Sequence, residues 1–254
     1  MARRVPEGPP PPPVVQRVRI RYAKRGRLRF TSHRDFARAF ERALRRAEAP
    51  MAYSAGFSPH PKISYVGASP TGVASEAEYL EIGLAREIAL PALQAALDAA
   101  LPPGLDIVET VAASTSGFAD RMQASAWRIE LPGIAVATVG DAVTQFTQQE
   151  SVTVERLTKN GRRTLDVRAA VVAVTVSGTA QTPNDAAHAI IDVVVRQVIP
   201  TVRPDDIVAA LCAVAGLAPV APPIAVRLAQ GPLDDTGAIG DPLAADRVSA
   251  TPTS

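Results

Sequence analysis

The chain is predicted to be α+β, with two tandem ferredoxin-like βαββαβ units whose sheets are antiparallel. Three observations predict this. Short apolar segments alternate between a period of two and a period near 3.6. The order strand, helix, strand, strand, helix, strand runs through residues 17–118 and recurs through 119–230. Biased ends frame the repeat. Residues 1–16, with five consecutive prolines from Pro9 to Pro13, are expected to be a disordered Pro-rich tail. Residues 231–254, rich in Gly, Asp, Ala, Pro and Thr, are expected to be a second disordered tail.

In the first unit Val18, Ile20 and Tyr22 alternate with Arg17, Arg19 and Arg21, which makes a strand with one apolar face. Lys24 to Gly26 turn the chain, and Leu28 to Phe30 continue or pair with that strand. Ser32 is placed to cap a helix, with Asp35 in its first turn. Phe36, Ala37, Phe40, Ala43, Leu44 and Ala47 form its buried stripe, and Pro50 ends it. Residues 62–66 and 79–84 read as strands, 90–101 as a helix buried through Leu93 and Leu97, and 105–111 as a strand.

In the second unit 126–131 is a strand, and 139–148 is a helix with Val143 and Phe146 inward. Residues 152–158 and 163–167 pair around Asn160-Gly161, a strong hairpin signal. Residues 189–195 form a strand, Arg203-Pro204-Asp205-Asp206 open a helix, and 225–228 close the set. Residues 171–177 fit either an extra strand or a helix.

Net charge is only +2, but it is unevenly spread. Residues 1–62 hold 15 Lys and Arg against 4 Asp and Glu, and the remainder 12 against 21. Such a chain presents one basic face to a polyanion without being basic overall. No apolar run is long enough to span a membrane, and the basic N-terminus has no apolar stretch after it, so a soluble cytoplasmic protein is expected. Cys212, the one cysteine, lies in an apolar helix and reads as a small core residue. His188, on an apolar segment, reads as a core or edge residue. No phosphate-binding glycine loop, dinucleotide fingerprint, serine nucleophile elbow or HExxH helix is present, and no cofactor is expected.

The chemistry concentrates between Arg17 and Glu81. Arg34, Arg38, Arg42 and Arg45 or Arg46 share one helix stripe, opposite Phe36, Phe40 and Leu44. Lys24 and Arg25 add charge in the preceding turn. The loop YSAGFSPHPKIS follows, and Gly56 gives it conformational freedom. Pro59 and Pro61 hold His60 in extended chain. The expected RNA-binding set is Lys24, Arg25, Arg34, Arg38, Arg42 and Lys62 on phosphates, Tyr53 and Phe57 stacking on bases, and Ser54, Gly56, Ser58 and His60 shaping the loop. The catalytic alternatives are His33, His60 and Lys62. Glu76 and Glu78 are expected to pair with the arginine row. No metal site is expected, because His33, Asp35, His60 and these glutamates match no ligand spacing.

FTSHRDFARAFERALRRA, then AYSAGFSPHPKISY and SEAEYLEI, resembles the radical-SAM-associated domain of unknown function. The resemblance runs from Arg17 to Leu228 and is strongest from Arg29 to Glu81. In some bacteria that domain is fused behind a cobalamin-binding radical SAM module. The actinobacterial form stands alone, its gene often near one for ribonuclease E/G. The resemblance implies ribonuclease E/G or a radical SAM enzyme as partner, and supplies no catalytic mechanism. By fold analogy alone, tandem ferredoxin-like units with a basic helix also resemble CRISPR repeat-processing ribonucleases, but GLAPVAPP replaces their glycine-rich C-terminal loop.

The function expected is RNA binding, or substrate presentation, beside a separate RNA-processing or radical SAM RNA-modifying enzyme. The first alternative is a metal-independent endoribonuclease using His33 or His60. The second is an assembly adaptor whose acidic half docks a protein.

Overall fold

The computed structural model describes residues 11–158, 161–181 and 187–249. They divide into two compact units. Unit one holds the described residues up to 120 together with 242–249, and unit two holds those from 121 to 241.

Unit one begins with β1 (Gln16–Lys24) and a 3-10 turn (Gly26–Phe30). It continues through α1 (His33–Arg46), β2 (Ile63–Val66), β3 (Ala74–Leu84), α2 (Leu90–Ala100) and β4 (Leu105–Ala112). The sheet order is β4–β1–β3–β2, and every neighbouring pair is antiparallel. β1 and β2 therefore run parallel with β3 between them, and α1 makes the crossover. In the same way α2 carries the chain from β3 past β1 to β4.

The strand period sends Val18, Ile20 and Tyr22 of β1 to the same core as Leu80, Ile82 and Leu84 of β3. Phe36, Phe40, Ala43 and Leu44 of α1 pack onto it, with Leu93 and Leu97 of α2. Both helices thus cover one sheet face. The Tyr22 and Phe36 rings stack at 4.3 Å. Each such fully buried side chain stabilises the unit by roughly 1.5–3 kcal/mol. Ser32 caps α1, its Oγ accepting from the Asp35 N–H at 3.2 Å and donating to the Asp35 carboxylate at 2.6 Å. Ala37 and Ala47 are half-buried at the margins of the stripe.

Residues 28–30 neither extend β1 nor pair with it. Gly26 has φ +54°, and the chain tightens through Leu28 N–H to Arg25 O and Thr31 N–H to Leu28 O. The Arg25 N–H instead donates to Gly104 O at 2.8 Å. A Cβ on Gly104 would lie 3.1 Å from Arg25 O, so this close approach needs glycine.

Unit two contains β5 (Ala124–Leu131), α3 (Val136–Gln148), β6 (Thr153–Thr158), β7 (Gly161–Asp166) and α4 (Val167–Ala170). β8 (Val171–Gln181), β9 (Ala187–Arg196), α5 (Pro204–Ala215) and β10 (Ile224–Gly231) complete it. Its sheet order is β10–β5–β9–β8, antiparallel throughout. The expected hairpin forms as β6–β7 but stands apart as its own two-stranded sheet. Asn160 of its turn lies outside the described residues. Residues 171–177, ambiguous by period, belong to β8, because β9 supplies a full partner ladder. Without β6, β7 and α4, unit two has the strand order of unit one. Cys212 is half-buried rather than core, and burial pushes its thiol pKa up. His188 is half-buried on β9.

On β5 and β9, Arg128 and Asp192 face each other across the ladder and form a two-pronged ion pair at 2.9 and 3.0 Å. The bond from Arg128 holds the Asp192 carboxyl below its ordinary range, against some desolvation. A depressed folded-state pKa stabilises above the unfolded value, about 3.9, and that contribution is lost as pH falls through the folded value. Asp192→Asn is therefore expected to flatten the acid limb of stability against pH, read by urea unfolding between about pH 5 and 2. An unchanged limb counts against it.

The region 231–254, expected to be a disordered tail, carries regular structure as far as residue 249. Asp234 Oδ1 accepts from Thr236 and Ala238 N–H, closing a turn bridged by Leu233 and Ile239. α6 (Ala244–Ser249) then returns to unit one. It brings fully buried Asp246 against Arg19, which is 2% exposed. Asp246 Oδ1 also accepts from Ser114 N–H and Thr115 N–H, each at 3.0 Å, and from Thr115 Oγ at 2.7 Å. Arg19 further contacts Glu81 at 3.0 Å and lies 4.5 Å over the Phe118 ring. The segment has no apolar period, so only this distant partner reveals it.

Candidate functional site

The arginines of unit one fall into two groups. Arg17, Arg19, Arg21 and Arg25 are engaged internally, whereas Arg27 is exposed and Arg29 lies 4.8 Å over the Phe30 ring, neither with a carboxylate within ion-pair distance among the described residues. Arg17 and Arg19 share Glu81, and Arg19 also has Asp246. Arg21 donates to Glu76 O at 2.9 Å. Arg25 binds both oxygens of Glu76 and reaches Asp106 at 2.8 Å. These bonds, the one to Glu76 first, raise the Arg25 pKa and keep it bound to its own carboxylates. Lys24 is 5% exposed and donates to Pro70 O. Lys24 and Arg25 therefore do not join an open cationic face. β1 runs under the long loop before β3, and carboxylates of β3 and β4 line it.

The helix arginines differ. Arg34, Arg38, Arg42 and Arg45 are exposed, and among the described residues none has a carboxylate within ion-pair distance. Their spacing of three and four puts them along one side of α1. Toward its C-terminal end, Arg42 and Arg46 border an open groove of about 780 Å³, floored by Ala39 of α1 and Ala96, Ala99 and Ala100 of α2. Arg46 donates to Ala100 O there.

The loop after α1 is closed by its own backbone. Tyr53 bridges Pro61, Ser54 N–H donates to His60 O at 2.8 Å, and His60 N–H donates to Ser54 Oγ at 3.0 Å. Ser54 is the loop's internal tie. Gly56, with φ +130°, turns the tip and leaves Phe57 69% exposed. Ser58, His60 and Lys62 are exposed, and Tyr53 is 41% exposed. The loop thus exposes a Phe and a Tyr close in sequence to Lys62, which has no carboxylate partner among the described residues. A cavity of about 230 Å³ separates Glu41, Leu44 and Arg45 of α1 from Tyr53, Pro59 and His60 of the loop.

Glu76 takes its expected role through Arg25. Glu78 is 2% exposed and accepts from Ser69 N–H at 3.0 Å. His33 is exposed at the first turn of α1, its ring edge-on to Tyr65 at 4.8 Å. Among the described residues the buried Tyr65 hydroxyl has no hydrogen-bond partner, and its pKa is pushed up to about 12 by burial and then by the charge of Glu41.

The family model described as an uncharacterized protein conserved in bacteria (DUF2344) matches residues 17–204 of the 254. The chain belongs to that family. No curated protein matches it. The DUF2344 match takes in the whole of α1, its loop and the sheet of unit one. It stops at the first residue of α5, short of β10 and of the segment that carries Asp246.

Within the DUF2344 region the two candidate catalytic histidines are apart. His60 borders the cavity formed with Glu41 and Arg45, which lie eight and twelve residues beyond His33 on α1. At 1.5 Å per residue that is roughly 12–18 Å along the helix. Among the described residues no group of three His, Cys, Asp or Glu side chains is placed to hold a metal. The sequence pattern does not mark Glu41 and Arg45 as a site. Their i, i+4 spacing is visible, but the return of the loop onto that end of α1 is not.

Proposed function

We propose that this DUF2344 protein binds single-stranded RNA through α1 and the loop 53–62, and presents it to a separate RNA-processing or radical SAM RNA-modifying enzyme. The observation that carries the proposal is the contrast between the two arginine groups. Arg17, Arg19, Arg21 and Arg25 are each matched to a carboxylate or carbonyl, while Arg34, Arg38 and Arg42 are exposed with no carboxylate partner among the described residues, and Lys62, Tyr53 and Phe57 are exposed on the loop that follows α1. Cations that a fold leaves unpaired in a row favour a polyanion. The shared antiparallel sheet order of the two units supports reading them as tandem ferredoxin-like units, a layout that exposes one helix per crossover. The chain's single half-buried cysteine cannot hold an iron–sulfur cluster, so any radical chemistry belongs to the partner. Ribonuclease E/G is the other proposed partner, and the proposed location is the cytoplasm. No helix among the described residues is long and apolar enough to cross a membrane.

The test is fluorescence anisotropy with a labelled single-stranded RNA and the full chain, across a salt series. Four phosphate contacts predict log affinity falling against log salt with a slope of roughly −2.8, at about 0.7 per single-strand contact. Absence of binding at about 50 mM salt overturns the proposal.

A second reading, metal-independent cleavage, rests on His60, whose exposed imidazole borders the same cavity as Arg45. Cleavage in EDTA that disappears in His60→Ala would favour it. Recovery of a protein partner after nuclease treatment, with no RNA bound, would favour the adaptor.

A further inference from the structure

We infer that the cavity between α1 and the loop 53–61 is a base-reading pocket that takes one unpaired guanine; this rests on the RNA reading above. Its size sets the ligand class. At about 230 Å³ it lies below the ~300–1,000 Å³ of sites for whole drug-sized ligands, so it suits one planar base rather than a nucleotide cofactor.

Its lining sets the base. Tyr53 is 41% exposed at the cavity and supplies a ring on which any base stacks. Glu41 is half-buried, and among the described residues it has neither an ion pair nor a hydrogen bond. Arg45, one turn further along the same helix, is equally without a carboxylate. The cavity therefore offers a carboxyl group as acceptor and a donor-only guanidinium on one wall. A carboxylate accepts two adjacent N–H donors. Among the four RNA bases only guanine shows two on its Watson–Crick edge, N1–H and N2–H, next to an O6 acceptor for the guanidinium. Cytosine and adenine each show one donor group there, and uracil shows one N–H between two acceptors. Pro59, Pro61 and the Ser54–His60 bonds hold the loop wall in place.

The experiment compares affinities of a labelled uridine oligonucleotide, the same strand with one central guanosine, and the same strand with inosine at that position. Guanosine is expected to bind about tenfold more tightly than uridine, and inosine, which lacks the N2 amine, to lose most of that gain. In Glu41→Gln the ratio is expected to fall close to one, because an amide presents one donor where guanine needs two acceptors. The inosine comparison needs no protein variant, so a folding defect cannot mimic it. Equal affinity for all three strands overturns the inference, and so does a guanosine preference that survives Glu41→Gln. If no RNA binds at all, the four nucleoside monophosphates are compared by saturation-transfer NMR. Preference for GMP then keeps the pocket and removes the polymer reading. No preference removes the pocket.

Discussion

Changing Arg38 and Arg42 together to Glu is expected to lower affinity for single-stranded RNA by about 100-fold near 50 mM salt. Two phosphate contacts are removed, and two like charges are set against the strand. The slope of log affinity against log salt should become shallower by roughly 1.4, about 0.7 for each lost contact. Both side chains are exposed and unpaired among the described residues, so stability should stay within about 0.5 kcal/mol. That separates a binding defect from a folding defect. The matching control is Arg17→Glu, at a position already paired with Glu81, where a much smaller effect is expected. Equal losses at the two places would mean that net charge alone governs binding. Unchanged affinity in the double variant would remove α1 from the interface.

Asp246→Ala is expected to destabilise unit one by about 3–5 kcal/mol, the usual cost of removing one partner from a buried ion pair. Asp246 is fully buried and Arg19 nearly so, and the carboxylate also gathers the Ser114 and Thr115 N–H groups. Its loss orphans several polar groups at once. Urea unfolding followed by hydrogen exchange in β1 and β4 would read the effect, because Arg19 and Thr115 lie on or beside those strands. Arg19→Met in the Asp246→Ala background should recover part of the loss, since the uncompensated charge is then gone. A loss below about 1 kcal/mol would mean that Glu81 alone can hold Arg19.

The two effects concern arginines of the same short stretch of chain, and they behave in opposite ways. Arg19 and Arg38 look alike in the sequence, each in a basic run with apolar neighbours. On a strand, period two turns Arg19 to the face opposite Val18 and Ile20, where β3, β4 and α6 surround it. On a helix whose buried stripe is Phe36, Phe40 and Leu44, Arg38 is exposed and has no carboxylate partner among the described residues. Lys24 shows the same limit. It reads as an open turn cation, but the chain between β2 and β3 crosses it and brings the Pro70 carbonyl.

Local signals located most elements. Ser32 and Asp35 mark the start of α1, Pro204 the start of α5, and alternation marks β1 and β5, because capping and periodicity act within a few residues. The 3-10 turn at 26–30 is not legible locally, because it depends on the Gly104 carbonyl about eighty residues away. β8 was ambiguous because a continuous apolar run fits a helix or a buried strand until its partner is known.

The sequence by itself determined the α+β class, the antiparallel sheets, the amphipathic α1 and the concentration of positive charge before residue 63. All of these follow from local pattern and composition. Tertiary structure alone decided which cations are open, how Glu41 and Arg45 meet Tyr53 and His60 across one cavity, and where Asp246 goes. Those depend on how the chain returns on itself, from the loop just after α1 to the segment 227 residues beyond Arg19. Charge neutralisation is a property of neighbours in space, and a carboxylate from residue 246 is near Arg19 only after the chain has folded.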